Sequence, residues 1–444
     1  MKADRFAQQL AAAGLDSFDV SDKSRLFDVV AARFTELTST SPSHAWWVPG
    51  RLEVFGTHTD YAGGRTLIAA LPRGFALAAA RRSDGRLRVV DAGNREQVVL
   101  DRRSESSSGW RRYVQVVWQR LHRNFPGMVD GADIVFVSDL PRAAGMSSSS
   151  ALIVGVGTAI ARLWNLHGSD RWRRCLSSAE ELATFLASIE SGRTFAELEG
   201  DEGVGTHGGS EDHAAMLLAQ PHRVTAFSFV PLRRLADAIV PDTWRFVVAS
   251  SGVPSEKTGT AREPYNQLSR QTTALLDLWN AHESAANSLS AALESDKAAV
   301  DRLHHLIRTG SLPESEREAL HRRLQHFRAE DGLVMPALRA FETSDAQSLG
   351  ELSRRSQQSA EDVLRNQIAE TVALVREACS QGAIAARTFG AGFGGSAWAL
   401  VHREHAREFA REWLAKYRHT CAHASGATAF VAAPGPPLTE LTCA

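Results

Sequence analysis

Hydrophobic and polar positions along the chain fall into two styles. In the first half, short apolar runs alternate with helical stripes. WWVPGRLEV (46–54) and TLIAALPRGFALAAA (66–80) read as buried strands. GFALAAARRSDGRLRVVDAG (74–93) carries two strand-like runs around Ser83-Asp84-Gly85, a hairpin signal. In GWRRYVQVVWQRLHRNF, Tyr113, Val116, Val117 and Leu121 fall on one helical face. GADIVFVSDLP predicts a strand ending at Pro141, and SALIVGVGTAIARLW a long apolar helix opened by serines. RVTAFSFVPL and WRFVVAS add strands.

From about Glu263 to Gln381 long amphipathic helices take over, interrupted only by Pro313 and Pro336. AIAARTF and SAWALVH then read as strands joined by GAGFGG. EHAREFAREWLAKY predicts a helix and ATAFVAA a last strand, with PGPPLTELTCA a loosely ordered tail. The change of style places a boundary between Phe229 and Trp244, giving domains 1–235 and 236–444. A chain of 444 residues is long enough for two cores of ordinary size.

Composition narrows the function. Hydrophobic residues make up 43% and charged residues 23%, a globular balance. The formal net charge of -1 gives no basic excess for nucleic acid or an anionic membrane. No run of about 20 apolar residues spans a bilayer, and the charged N-terminus does not read as a signal peptide. Cys175, Cys379, Cys421 and Cys443 lack CxxC pairing, so reduced thiols and a cytoplasmic location are expected.

Three polar turns carry the chemistry. FGTHTDYAGG (55–64) packs a histidine, an aspartate and a tyrosine between glycines and two buried strands: it either turns a corner or holds a ligand. LPRAAGMSSSSAL (140–152) runs strand, Gly145, four serines, helix. Free N–H groups at a helix N-terminus make an anion site, and small side chains admit phosphate oxygens. One serine would suffice as a cap, so four in a row favour phosphate binding over capping. The Gly-Lys-Ser/Thr of the common P-loop is missing, which excludes that class of NTPase. GVGTHGGSEDHAAMLLA (203–219) starts a helix at Asp212 behind two glycines. Taken alone, that carboxylate reads as a helix-start acid. GAGFGGSAWALV precedes a strand rather than a helix, which argues against dinucleotide binding.

Taken in order, these segments resemble the GHMP small-molecule kinases, and within them the galactokinases. That family reads GRxxxxGEHTDYxxG, PxGxGLSSSA, GxxDQ and GxGxGG. This chain supplies PGRLEVFGTHTDYAGG, LPRAAGMSSSSAL, GGSEDHAAM and GAGFGGSAWALV, with WRRYV and REPYNQLSRQ at similar intermediate positions. The resemblance spans roughly Pro49 to Val401. It implies an α+β fold, a mixed-sheet N-terminal domain beside a ferredoxin-like C-terminal domain with added helices. ATP and a sugar are then the small-molecule partners, with Mg²⁺, in a monomer or weak homo-oligomer. By the same resemblance Asp212 matches the proposed base beside the anomeric hydroxyl and Arg51 the arginine that pairs with it. Gly145, Ser147, Ser148 and Ser149 match the phosphate loop and Trp110 a residue near adenine. Ser148 and Glu190 are the expected Mg²⁺ ligands, with Glu197 and Glu199 as rivals to Glu190. His58, Asp60, Gly209 and Tyr265 match sugar contacts.

Position 57 departs from the family. Galactokinases carry glutamate there, understood to accept from the hydroxyl on the sugar's sixth carbon. Thr57 is shorter and neutral, both donor and acceptor. By the same resemblance Thr57 is a sugar contact, and a substrate differing from galactose at that carbon is expected to be tolerated or preferred, such as galacturonate or arabinose. Plant galacturonate kinases, similar in this motif, also lack the glutamate. Galactose stays ahead by family weight. A catalytically silent sugar sensor is the reading from another class, opposed by Asp212, Arg51 and the serine loop. Mevalonate or homoserine as substrate is disfavoured by HTDY.

Overall fold

A computed structural model describes residues 3–101, 104, 107–255, 262–421 and 424–443. The strands are β1 (His44–Phe55), β2 (Arg65–Arg81), β3 (Leu87–Asp91), β4 (Glu96–Leu100), β5 (Ala132–Ser138), β6 (Arg223–Ser228), β7 (Arg233–Ile239), β8 (Trp244–Ser250), β9 (Ala385–Phe389), β10 (Ser396–His402), β11 (Thr428–Ala432) and β12 (Thr439–Leu441). They form an eight-stranded mixed sheet and a four-stranded antiparallel one. The first has the order β12-β1-β2-β5-β3-β4, with β6 and β7 continuing from β2. The second is β11-β8-β10-β9, strands of a β-α-β-β-α-β run in ferredoxin-like order.

β1 and β2 are apolar almost throughout because both faces are covered. Trp46, Val48 and Leu77 meet the helices Trp110–Asn124 and Ser148–Leu163 in the main core. Trp47, Ala76 and Ala78 on the other face meet Phe6, Phe27 and Val30 of the N-terminal helices. Valine, leucine and aromatic side chains suit this pleated, doubly buried surface.

Two expectations are corrected. The Ser83-Asp84-Gly85 turn does not close a hairpin between its flanking runs. β5 enters between β2 and β3, antiparallel to the first and parallel to the second. Asp84 instead pairs with Arg82 inside the turn. The local hairpin is β3–β4, whose second strand went unread. The C-terminal tail is ordered: β12 adds to β1, Ala45 opposite Leu441, and Leu441 is buried beside Trp47. Among the described residues no helix is long and apolar enough to cross a membrane.

The fold places the HTDY loop by clamping it from behind. Register shifts in the β1–β2 ladder lie between Pro49 and Arg51 and between Glu53 and Phe55. Such irregularities re-aim side chains, here those of Arg51 and Glu53. The long helix Glu314–Glu342 then presents Arg323, His326, Glu330 and Asp331 at helical spacing. Arg323 donates to the His58 carbonyl and, at 3.1 Å, to the Tyr61 hydroxyl. His326 Nε2 lies 3.2 Å from the Thr57 carbonyl, and Arg65 N donates to Asp331 at 2.7 Å. Burial holds the His326 pKa well below its ordinary value, so the ring is neutral.

Arg387 of β9 ties the two sheets together. It is 1% exposed, and its Nη1 lies 3.1 Å from Glu330 Oε1. It also reaches Glu53 Oε1 of β1 at 3.5 Å and donates to the Thr57 hydroxyl. Arg387→Met leaves Glu330 buried without its counter-charge and Glu53 with the more distant Arg51 alone. Breaking a buried ion pair costs about 3–5 kcal/mol, and urea unfolding followed by tryptophan fluorescence should show that loss. A loss under about 1 kcal/mol would mean that the network does not hold the sheets together.

Candidate active site

Arg51, Asp60, Glu190 and Asp212 arrive from four separate elements and line one cavity, with His58, Gly209 and Tyr265 also in its wall. Arg51 is 3% exposed and donates from Nε to Asp212 Oδ1 at 2.7 Å. Its Nη2 lies 2.6 Å from the same oxygen, and Nε lies 3.1 Å from Glu211 Oε1. Burial opposes the Arg51 charge, but Asp212, Glu211 and Glu53 outweigh burial and raise its pKa. The sequence-derived pair Arg51–Asp212 is thus a direct contact.

Behind it the HTDY loop supplies polar groups. His58 adopts a left-handed backbone, φ 61°. Its Nδ1 is 2.9 Å from the Tyr61 hydroxyl and its Nε2 3.1 Å from the Ala391 carbonyl. Burial pushes the Tyr61 phenol up to about 12, so it serves as a hydrogen-bonding group rather than an acid. Glycine at 209 is a steric requirement: a Cβ there would lie 2.2 Å from Asp60 Oδ2. Asn266, next to Tyr265, receives His207 N at 3.0 Å and donates to the Gly205 carbonyl at 2.9 Å. This pins the loop that carries Gly209. The Thr206 hydroxyl, also in the cavity wall, is buried without a hydrogen-bonding partner among the described residues, which suits a polar ligand.

A second cleft of about 590 Å³ adjoins the first, with Ala391 in both walls. Gly145, Ser147, Ser148 and Ser149 line it at the start of the helix Ser148–Leu163. Trp110 lines it too, its indole donating to Glu96 at 2.8 Å. Ala143, where the family motif has its first glycine, is left-handed with φ 50°. The Ser147 hydroxyl is buried without a partner among the described residues. The C-terminal glycine turn braces this loop: Ser396 donates to the Ala144 carbonyl at 2.6 Å, and Ser255 to that of Gly392 at 2.7 Å.

Thr57 does not reach the cavity. It is 2% exposed and its hydroxyl is engaged by Glu53 and Arg387 behind the wall. Glu53 lines the cavity instead. Ser148 faces the cleft, whereas the serine that meets Glu190 is Ser150, donating to Glu190 Oε2 at 2.8 Å and to Asp212 Oδ2 at 3.2 Å. Of the three rival glutamates only Glu190 is at the site. The Glu197 carboxylate pairs with Arg174 at the surface, and Glu199 contributes backbone bonds to Asn124.

Glu53, Glu211 and Ser150 were all missed. Glu211 reads in sequence as a second helix-start acid, and Ser150 as one more serine of the cap. Glu53 sits in an apolar strand, and a carboxylate at a fully buried strand position was the available signal. Burial, then repulsion from Glu53, pushes the Glu211 carboxyl well above its ordinary value.

Three family models match this chain: the galactokinase galactose-binding signature over residues 32–81, the GHMP kinases N terminal domain over 112–219 and the GHMP kinases C terminal over 336–419. The chain belongs to the GHMP kinase superfamily and is galactokinase-like. Curated relatives agree with the models. The galactokinase of Streptomyces coelicolor is 28% identical over 383 residues, covering 84% of this chain and 88% of that protein. That of Roseiflexus sp. is 28% identical over 405 residues, covering 90% and 93%. A Lactococcus lactis galactokinase complexed with galactose shares the fold at TM-score 0.78 and 22% identity, covering 93% of this chain and 99% of that one. The Methanococcus jannaschii mevalonate kinase is more distant, at TM-score 0.55 and 13% identity over 88% and 98%. This GHMP kinase is therefore an enzyme, a phosphotransferase of the sugar-kinase class, and the family implies ATP as donor.

Two expected outcomes follow from the geometry of this kinase. The raised Glu211 carboxyl stays protonated in the folded chain at pH values where the unfolded chain has ionised. The contribution of this group to wild-type stability therefore falls as pH rises above about 4.5. Glu211→Gln has no such loss, so its melting temperature should exceed that of wild type by a margin that widens from pH 5 to pH 8. A margin that is flat or shrinks over that range would mean Glu211 is not held protonated. Gly145 sits at φ 75° in the serine loop. Gly145→Val forces a branched side chain into that conformation and should abolish ATP binding in calorimetry. Unchanged affinity in a folded variant removes the loop from the nucleotide site.

Proposed function

We propose that the protein is an ATP-dependent kinase for the anomeric hydroxyl of galactose or a close neutral analogue. The observation that carries this reading is the Arg51–Asp212 pair, held in the cavity that opens onto the serine-loop cleft. A carboxylate fixed by a guanidinium can receive a hydroxyl proton as that oxygen attacks a phosphoryl group. Arg51 orients Asp212 and offsets negative charge that grows during transfer. His58, Asp60 and Tyr265 supply paired polar groups for sugar hydroxyls. Gly145 and Ser147 to Ser149 receive the phosphates of ATP, with Trp110 beside the base.

Mg²⁺ suits the donor set. Among the described residues no group of three or more acidic, histidine or cysteine side chains could hold an ion alone. Mg²⁺ in kinases is held by one or two carboxylates together with substrate phosphates. Glu190 and the Ser150 hydroxyl, beside Asp212, are the residues that would hold it. Bound there with the nucleotide, it would neutralise phosphate charge.

The acidic lining bears on the rival substrates. Glu53, Asp60, Glu190, Glu211 and Asp212 share the cavity with Arg51. Such a wall accepts hydrogen bonds from hydroxyls and opposes a uronate's carboxylate, so galacturonate loses support. Arabinose, being neutral, stays an alternative. The silent-sensor reading loses support too, because the base and its arginine are in contact.

A coupled assay of sugar-dependent ADP release over neutral sugars, arabinose and uronic acids tests the reading. Asp212→Asn should lower turnover by about 10²–10⁴-fold, the size of a lost general base, with ATP affinity kept. Near-wild-type turnover in that variant removes Asp212 from the chemistry.

A further inference from the structure

Glu53 is fixed on every side except the one facing the cavity. Its Oε1 accepts from the Thr57 hydroxyl and lies 3.5 Å from Arg387 Nη2. Its backbone carbonyl accepts from the Trp398 indole at 3.1 Å. Its Oε2 lies 3.9 Å from Arg51 Nη1, on the cavity side. Arg387 is itself held by Glu330, which receives the Ser356 hydroxyl. The side chain is 3% exposed. Burying a carboxylate is costly, and this one is built in with dedicated counter-charges, in a wall that already has Asp212 to take a proton. An ionised carboxylate offers only acceptors, and its bonds to hydroxyls are roughly twice the strength of neutral ones.

We propose that Glu53 is a specificity-determining residue: it accepts a hydrogen bond from one hydroxyl of the bound sugar and turns away acidic sugars. Thr57 is a positioning residue that orients it from behind. The proposal rests on the sugar-kinase reading above and deepens it, moving the substrate-reading carboxylate from position 57 to position 53. It also reverses the expectation attached to Thr57. A glutamate at 57 would bring a second carboxylate against Glu53, so Thr57→Glu should impair the enzyme rather than restore galactose preference.

The test is a panel of galactose, its 2-, 3-, 4- and 6-deoxy analogues and galacturonate, run on wild type and Glu53→Gln. Glu53→Gln keeps the shape, and Arg387 retains Glu330. The galactose KM should rise about 10–100-fold, the size of a lost bond to a charged acceptor, with kcat within a few-fold. One deoxy analogue should be poor for wild type and no worse than galactose for Glu53→Gln. Galacturonate should gain relative to galactose in the variant. Thr57→Val, which removes only the rear support, should blunt the same analogue's penalty by a smaller factor, and it decides the matter if Glu53→Gln does not fold. An active wild type whose deoxy pattern is unmoved in both variants overturns this proposal alone. A wild type inactive on every neutral sugar overturns the kinase reading and this proposal with it.

Discussion

One guanidinium, Arg51, lies among three carboxylates of a buried wall, and the architecture around it follows from that imbalance. Glu53, Glu211 and Asp212 all approach it within 3.9 Å. A single positive charge cannot neutralise three negative ones in a low-dielectric interior. The structure resolves the excess in three ways. Asp212 takes the closest contact. Glu211 is pushed toward its neutral form. Glu53 is given a second arginine, Arg387, from the other sheet.

That second arginine connects chemistry to architecture. Arg387 can serve Glu53 only if the four-stranded sheet is docked against the long sheet, so the cavity exists only in the assembled molecule. The helix Glu314–Glu342 completes the arrangement with Glu330 on Arg387 and with Arg323 and His326 on the backbone of the HTDY loop. His58, Asp60 and Tyr61 of the loop are thereby left lining the cavity. The serine loop is braced in the same manner, by Ser396 and Ser255 beside the C-terminal glycines. Those glycines, whose place before a strand argues against a dinucleotide turn, act as a close-packed support.

Much of this was legible in sequence where the signal is local. HTDY between glycines, four serines after a strand, and Asp212 behind Gly208 and Gly209 each mark a polar group at an element's end, and the structure brings them to two adjoining cavities. Pairing across the sheet was not legible. The insertion of β5 between β2 and β3 is a long-range choice, and nothing in the Ser83-Asp84-Gly85 turn opposes a hairpin. The tail strand β12 was hidden by its prolines. Thr57 illustrates the other limit: the motif gives its place in the loop, but a buried partner, Arg387, 330 residues away decides which way it points. Glu53 stood out only as a carboxylate in an apolar strand; its role stayed hidden for the same reason, since it depends on which side of β1 the register shifts expose.

On the proposed reading Asp212, oriented by Arg51, receives the proton of the anomeric hydroxyl. Regiochemistry of the product tests that most directly. In a phosphorus–proton correlation NMR spectrum of the purified sugar phosphate, the account predicts coupling of the phosphorus to the anomeric proton. A three-bond coupling to a proton on another carbon, with none to the anomeric proton, would contradict it.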